Sequence, residues 1–144
     1  MSTPSTPNRK TPWHLWVIAA LTLLWNGAGA YTTVMAQAGK LPDVGAQEAA
    51  YYAAQPLWSV VATDIALFAP LAAAVALLLR SRTAVWLFAV SLAAVTLTNV
   101  YELAAGTSLA LVDRGWVVVT SIIVVLAVLQ LAYSLAMKRR AVLT

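Results

Sequence analysis

The sequence predicts an all-α integral membrane protein, a bundle of four spanning helices running up-down-up-down. Three observations predict it. Hydrophobic residues make up 62% of the 144 residues and charged residues only 10%, against about half and a quarter in a soluble domain. A chain this short keeps much of its surface wet when folded in water, so it could not bury that much apolar material. The charges are also clustered, leaving four long stretches of the length a ~30 Å hydrocarbon core requires. These features exclude an ordinary soluble enzyme. They exclude a nucleic-acid-binding domain too, because the net +4 comes from nine Lys and Arg in small groups with no basic face. The chain has no Cys and one His, so no disulfide, thiolate site or histidine-based metal centre is expected, and no cofactor.

The chain divides into a disordered N-terminal segment (residues 1–11), a transmembrane domain (12–137) and a basic tail (138–144). The first segment is rich in Pro, Ser and Thr and has too little apolar material to fold. The first helix is expected over 13–37, opened by Trp13 and Trp16 behind Pro12. Arg9 and Lys10 followed by an apolar run and Ala28-Gly29-Ala30 also fit a cleavable signal. The uncharged stretch continues past Ala30 to Met35, which favours an uncleaved helix. A loop with Lys40, Asp43, Glu48, Tyr51 and Tyr52 is expected over 39–55.

The second helix is expected over 57–79, behind Pro56 and with Trp58 at its start. It carries Asp64 and Pro70, and the missing N–H of Pro70 should kink it. Arg80-Ser81-Arg82 forms a tight turn into the third helix, 84–104, anchored by Trp86. A short loop with Gly106, Thr107 and Ser108 leads to the fourth, 115–137, anchored by Trp116. Its β-branched run does not argue for a strand, since a lone strand cannot satisfy its backbone in hydrocarbon. Trp marks these ends because its ring is apolar and its N–H needs a partner.

Seven of the nine basic residues fall on one side: Arg9, Lys10, Arg80, Arg82, Lys138, Arg139 and Arg140. Lys40 and Arg114 fall on the other. The positive-inside rule then places both termini in the cytoplasm.

Polar residues within the spans are the candidate site. At ~1.5 Å per residue, Asn26 and Asn99 lie ~20 Å from the cytoplasmic face and Asp64 ~12 Å below the opposite face. Thr120 is near the outer end of the fourth helix, and Glu102 is at or near the outer interface. Gln130 stands apart, in the cytoplasmic half. Helical spacing sorts these groups onto faces. Thr22, Asn26, Gly29 and Thr33 form one stripe, with Ala28, Thr32 and Ala36 beside it as a small-residue seam. Ser91, Thr98 and Glu102 share a face with Asn99 alongside, and Thr120, Ala127, Gln130 and Ser134 share another. The predicted site is therefore Asp64, Asn26, Asn99, Glu102 and Thr120 in a polar layer.

Asp64 admits two readings: a carboxylate for proton coupling or solute binding, or a hydrogen-bonded tie to Asn26, Asn99 or Thr120. For Asn26 and Asn99 the tie between helices is favoured. His14 reads as an interfacial residue. Asp64, Glu102, His14 and Asn26 form no recognisable catalytic arrangement, so the chain does not read as an enzyme. The spacing Trp13 to Asn26 recurs at Trp86 to Asn99, a weak internal echo.

Several strings carry a resemblance. Leu24-Trp25-Asn26, followed by Gly29 and Tyr31, resembles the first-helix signature of small four-helix bacterial membrane proteins commonly labelled "sugar transporter". Gln55-Pro56-Leu57-Trp58, the stretch Arg80 to Phe88 and the tail Lys138 to Leu143 are similar to that group as well. The likeness covers about residues 13–143 and supplies no site residues. It implies a multi-pass protein of a bacterial inner membrane that carries a small, sugar-like solute. Four helices barely enclose a path, so such a transporter would act as a homo-oligomer in the lipid bilayer. The alternative is a non-transporting accessory or stabilising subunit of a larger membrane complex.

Overall fold

A computed structural model describes residues 11–40, 42, 46–105 and 114–143. The expected disorder of residues 1–10, loop three with Gly106, Thr107 and Ser108, and Asp43 lie outside the described residues, as do the side chains of Glu48, Arg114 and Trp116. The described elements are all helices: α1 (Trp13–Gln37), α2 (Ala46–Ala54), α3 (Leu57–Leu78), α4 (Thr83–Ala104) and α5 (Arg114–Arg139). Four of them, α1, α3, α4 and α5, are long and apolar enough to cross a membrane. Their outward faces carry large apolar side chains such as Leu24, Leu57 and Val118, as a transmembrane bundle requires.

The spans follow the charge gaps to within two residues at each end. Pro12 and Pro56 stand in extended conformation before α1 and α3. Their carbonyls accept the first helical N–H groups, Leu15 at 3.0 Å and Ser59 at 2.9 Å. Three helix ends close the same way: a residue of positive φ, then an N–H reaching back five residues. These are Gly39 with Lys40 N to Met35 O, Arg80 with Ser81 N to Ala76 O, and Ala141 with Val142 N to Met137 O.

The helix α2 lies in the stretch expected to be a loop. Its sequence, AQEAAYYAA, has five alanines, the best helix former. At nine residues it is too short to hold itself, and Tyr51 fixes it to α4 by a hydrogen bond to Glu102.

The spanning helices pack in a row, α1 on α3, α3 on α4 and α4 on α5. The central pair is close because α3 presents Ser59, Ala62, Ala66, Ala73 and Ala74 as its buried face, and small side chains let backbones approach. Gly29 serves the same purpose in α1, where an added Cβ would stand 3.4 Å from Leu67 of α3. Ala28, expected at a helix contact, is instead exposed on the rim of a cleft.

Pro70 leaves the carbonyl of Ala66 without its helical donor. Ser91 of α4 supplies one, its hydroxyl donating to Ala66 O at 2.9 Å. A carbonyl bared by proline thus becomes a bond between the two central helices.

The main core lies at one end of the bundle. Leu15, Ala19, Ala73, Leu77, Val85, Phe88 and Met137 form it together with Val142 and Leu143. This is the end bearing Arg80, Arg82 and Lys138, here termed the basic end. The basic tail is thus not wholly a loose segment: α5 runs to Arg139, the chain reverses at Ala141, and Val142 and Leu143 are buried.

Candidate functional site

The row of helices does not close on itself. Among the described residues, α1 and α5 share no extended packing. They meet at the basic end, where His14 Nδ1 and Tyr133 Oη lie 2.6 Å apart. His14 is therefore more than an interfacial residue: it pins the two outer helices together. Away from that pin the helices leave a cleft of about 540 Å³, within the usual size range of a small-molecule site.

Three of the spanning helices contribute most of the polar face expected of them. From α1 come Trp25, Asn26, Gly29 and Thr33; from α4 come Ser91, Thr98, Asn99 and Glu102; from α5 come Thr120, Ala127 and Gln130. Tyr51 and Tyr52 reach the cleft from α2. Its apolar walls include Leu67, Val95 and Leu126.

Four of the five sequence-predicted site residues meet here: Asn26, Asn99, Glu102 and Thr120. Gln130 joins them, although its depth had set it apart. It stands three residues after Ala127, itself seven after Thr120, so the three share a face toward the cleft. Asp64 is not among the lining residues. Its carboxylate accepts a hydrogen bond from Gln37 Nε2 at 3.0 Å. Gln37 is the last residue of α1, so Asp64 ties the end of α1 to α3. The expected partners Asn26, Asn99 and Thr120 are not its partners.

The two asparagines do not bridge helices either. Asn26 Nδ2 donates to Thr22 O at 2.9 Å, and Asn99 Nδ2 donates to Val95 O at 2.7 Å. Each carboxamide is oriented by its own helix four residues back. A carboxamide has a second N–H and a carbonyl oxygen beyond that bond, so a fixed amide can still address a ligand. The repeated Trp-to-Asn spacing thus ends in the same local geometry twice.

At the mouth away from the basic end, Tyr51 donates to Glu102 Oε1 at 2.6 Å. Burial, then the bond to Glu102 and its charge, push the Tyr51 pKa up, so it stays a protonated donor. The rings of Trp58 and Tyr101 meet edge to face nearby, 4.6 Å between centroids. Tyr51 and Gln37 are the residues sequence reading missed. Tyr51 sat in an expected loop, where no helical face could be assigned to it; Gln37, the last residue of the expected first helix, continues the Asn26–Thr33 stripe at i+4 from Thr33.

The chemistry of the cleft is amide, hydroxyl and phenol, with one carboxylate. Among the described residues no three His, Asp or Glu side chains converge. Donors and acceptors are mixed and stand against apolar and aromatic walls. Such a surface suits a solute with several hydrogen-bonding groups and an apolar face. Comparison with protein-family models, with curated proteins and with solved structures returns no match for this chain.

Proposed function

We propose that the protein is a multi-pass protein of a bacterial inner membrane that binds a small, uncharged, hydroxyl-rich solute and carries it across as an oligomer. The single observation that supports this most is the convergence of Asn26, Asn99, Glu102, Thr120 and Gln130 on one cleft. Amides and hydroxyls buried in apolar spans are costly to keep unless something uses them. The likeness of Leu24-Trp25-Asn26 and the basic turn to proteins labelled "sugar transporter" points the same way. Both termini lie in the cytoplasm on this reading, from the seven basic residues at that end, and the cleft then faces outward.

The test is binding and flux with purified protein in liposomes, using a panel of neutral sugars and polyols. Saturable, solute-dependent uptake is the expected result, weakened at least tenfold in Asn99→Ala and Gln130→Ala with melting unchanged. No binding across the panel would remove the reading.

The open flank between α1 and α5 favours a second reading, an accessory subunit whose partner's helix fills that gap. A stoichiometric partner co-purifying with the parent chain, and lost on Ala28→Trp at the rim, would select it.

A further inference from the structure

We propose that residues 141–143 form a latch over the basic end of the bundle, clamped by Arg80 and Arg82, and that its release opens the seal beneath the cleft. The inference rests on the transport reading, because a cleft blind at one end must open there to pass a solute.

The seal is the apolar cluster of Leu15, Leu77, Phe88 and Met137, all close to fully buried. Leu143 lies within it, fully buried, and Val142 is 4% exposed. Two guanidiniums hold the backbone of this segment from the turn between α3 and α4. Arg80 Nε donates to Val142 O at 3.2 Å, and Arg82 Nε donates to Leu143 O at 3.3 Å. Hydrogen bonds with a charged donor are the stronger kind, and both here serve carbonyls past the end of α5.

Two residues of the device carry strain. Arg80 and Ala141 have φ of 58° and 54°, a left-handed conformation that crowds a residue with a Cβ. Such residues persist where the surroundings over-determine them. Here the clamp and the buried side chains do so jointly, and release would relax Ala141. Release is also local. Arg82 is exposed and Arg80 half-buried, so both guanidiniums can exchange a carbonyl for water without unpacking a helix. The latch thus has a tucked state, with Leu143 in the seal, and a released state that uncovers Leu15 and Leu77 from the basic side.

The absence of native cysteine makes the test direct. A single cysteine replaces Ala73, fully buried in the seal, and an impermeant thiol reagent is added on the basic side of reconstituted vesicles. A cysteine at exposed Thr83 serves as the control. Val142→Ser/Leu143→Ser removes the buried side chains; Arg80→Met/Arg82→Met removes the clamp donors and keeps the apolar stems. In both, Ala73→Cys should label about tenfold faster than in the parent, as a shifted opening equilibrium requires, while Thr83→Cys labels unchanged. Unchanged labelling of Ala73→Cys in both double variants overturns the latch. So does a rise seen only in a variant whose melting transition has vanished, since the reagent then reaches unfolded chain. Faster labelling without any solute flux would retain the latch and defeat the transport reading; flux in the parent with unchanged labelling would do the reverse.

Discussion

The two halves of this bundle are built for different ends. At the basic end, Leu15, Leu77, Phe88 and Met137 interlock and every helix of the row is held. There α1 and α5 are pinned by His14 and Tyr133, and the turn clamps the tail. In the other half the same helices present Asn26, Asn99 and Thr120 and leave space between α1 and α5, with Gln130 at the foot of that space. Stability therefore resides mostly at one end, and the candidate site lies toward the other. Substitutions should divide the same way: some should change melting alone, and others binding alone.

The largest expected effect is at the packed end. Phe88 is 1% exposed, and Phe88→Ala leaves a cavity that the surrounding helices fill only in part. A loss of about 3 kcal/mol is expected, read as lowered thermal stability in detergent. Gln130→Ala in the cleft should cost under about 0.5 kcal/mol, because its site is already roomy. Equal losses at the two positions would break the division.

The next effect is at the junction of the halves. Ser91→Ala removes the donor that Pro70 made necessary and strands Ala66 O in an apolar setting. A loss of about 1–2 kcal/mol is expected from the unfolding midpoint. Thr96→Ala is the control, since Thr96 bonds only its own helix at Leu92 O and is exposed. Restored stability in Ser91→Ala on adding Pro70→Ala would confirm that the two residues act as one unit.

Much of this division was legible in the sequence, for reasons specific to helices. A period of 3.6 fixes which residues share a face, so it groups Asn26 with Gly29, and Thr120 with Gln130, from spacing alone. Which neighbour a face meets is not fixed by period. Asp64 illustrates this: its depth could be counted, but Thr63, one position away, is the residue that faces the cleft. The short helix α2 was illegible for a second reason. Nine residues carry too little pattern, and its place depends on distant contacts such as the bond from Tyr51 to Glu102. The latch had a cue, Val142 and Leu143 following the basic run. Yet an apolar pair after Lys138-Arg139-Arg140 suits a loose tail equally well until the turn at Ala141 is seen.

A smaller effect tests the mouth of the cleft. Tyr51→Phe removes the bond to Glu102 and should loosen α2 by about 1 kcal/mol. The raised pKa of Tyr51 gives this loss a pH window. A phenol whose folded pKa exceeds its unfolded value contributes stability that is fully present below the unfolded value, about 10, and is lost as pH rises through the folded one. The difference between parent and Tyr51→Phe should therefore be constant from pH 7 to 9 and shrink only in stronger alkali. A difference that shrinks between pH 7 and 9 would mean that the phenol ionises early and the bond is not as described.

The smallest effect bears on whether Asp64 belongs to recognition or to structure. Its carboxylate accepts from Gln37 and joins the end of α1 to α3, outside the cleft. Asparagine keeps an acceptor oxygen at the same place and removes the charge, so Asp64→Asn should retain the bond and melt within about 0.3 kcal/mol of the parent. Leucine fills the space without an acceptor, and Asp64→Leu should lose about 0.6 kcal/mol, the average for a hydrogen bond between membrane helices. Gln37→Leu should lose the same amount, and the double substitution no more than either alone, because both remove one bond. Solute binding in the cleft should be unchanged in both Asp64 variants, whereas Gln37→Leu alters a lining residue. Weakened binding in Asp64→Asn, with melting intact, would carry the recognition surface past Gln37 to the carboxylate itself. The boundary between the two halves would then run through α3 rather than along the wall of the cleft.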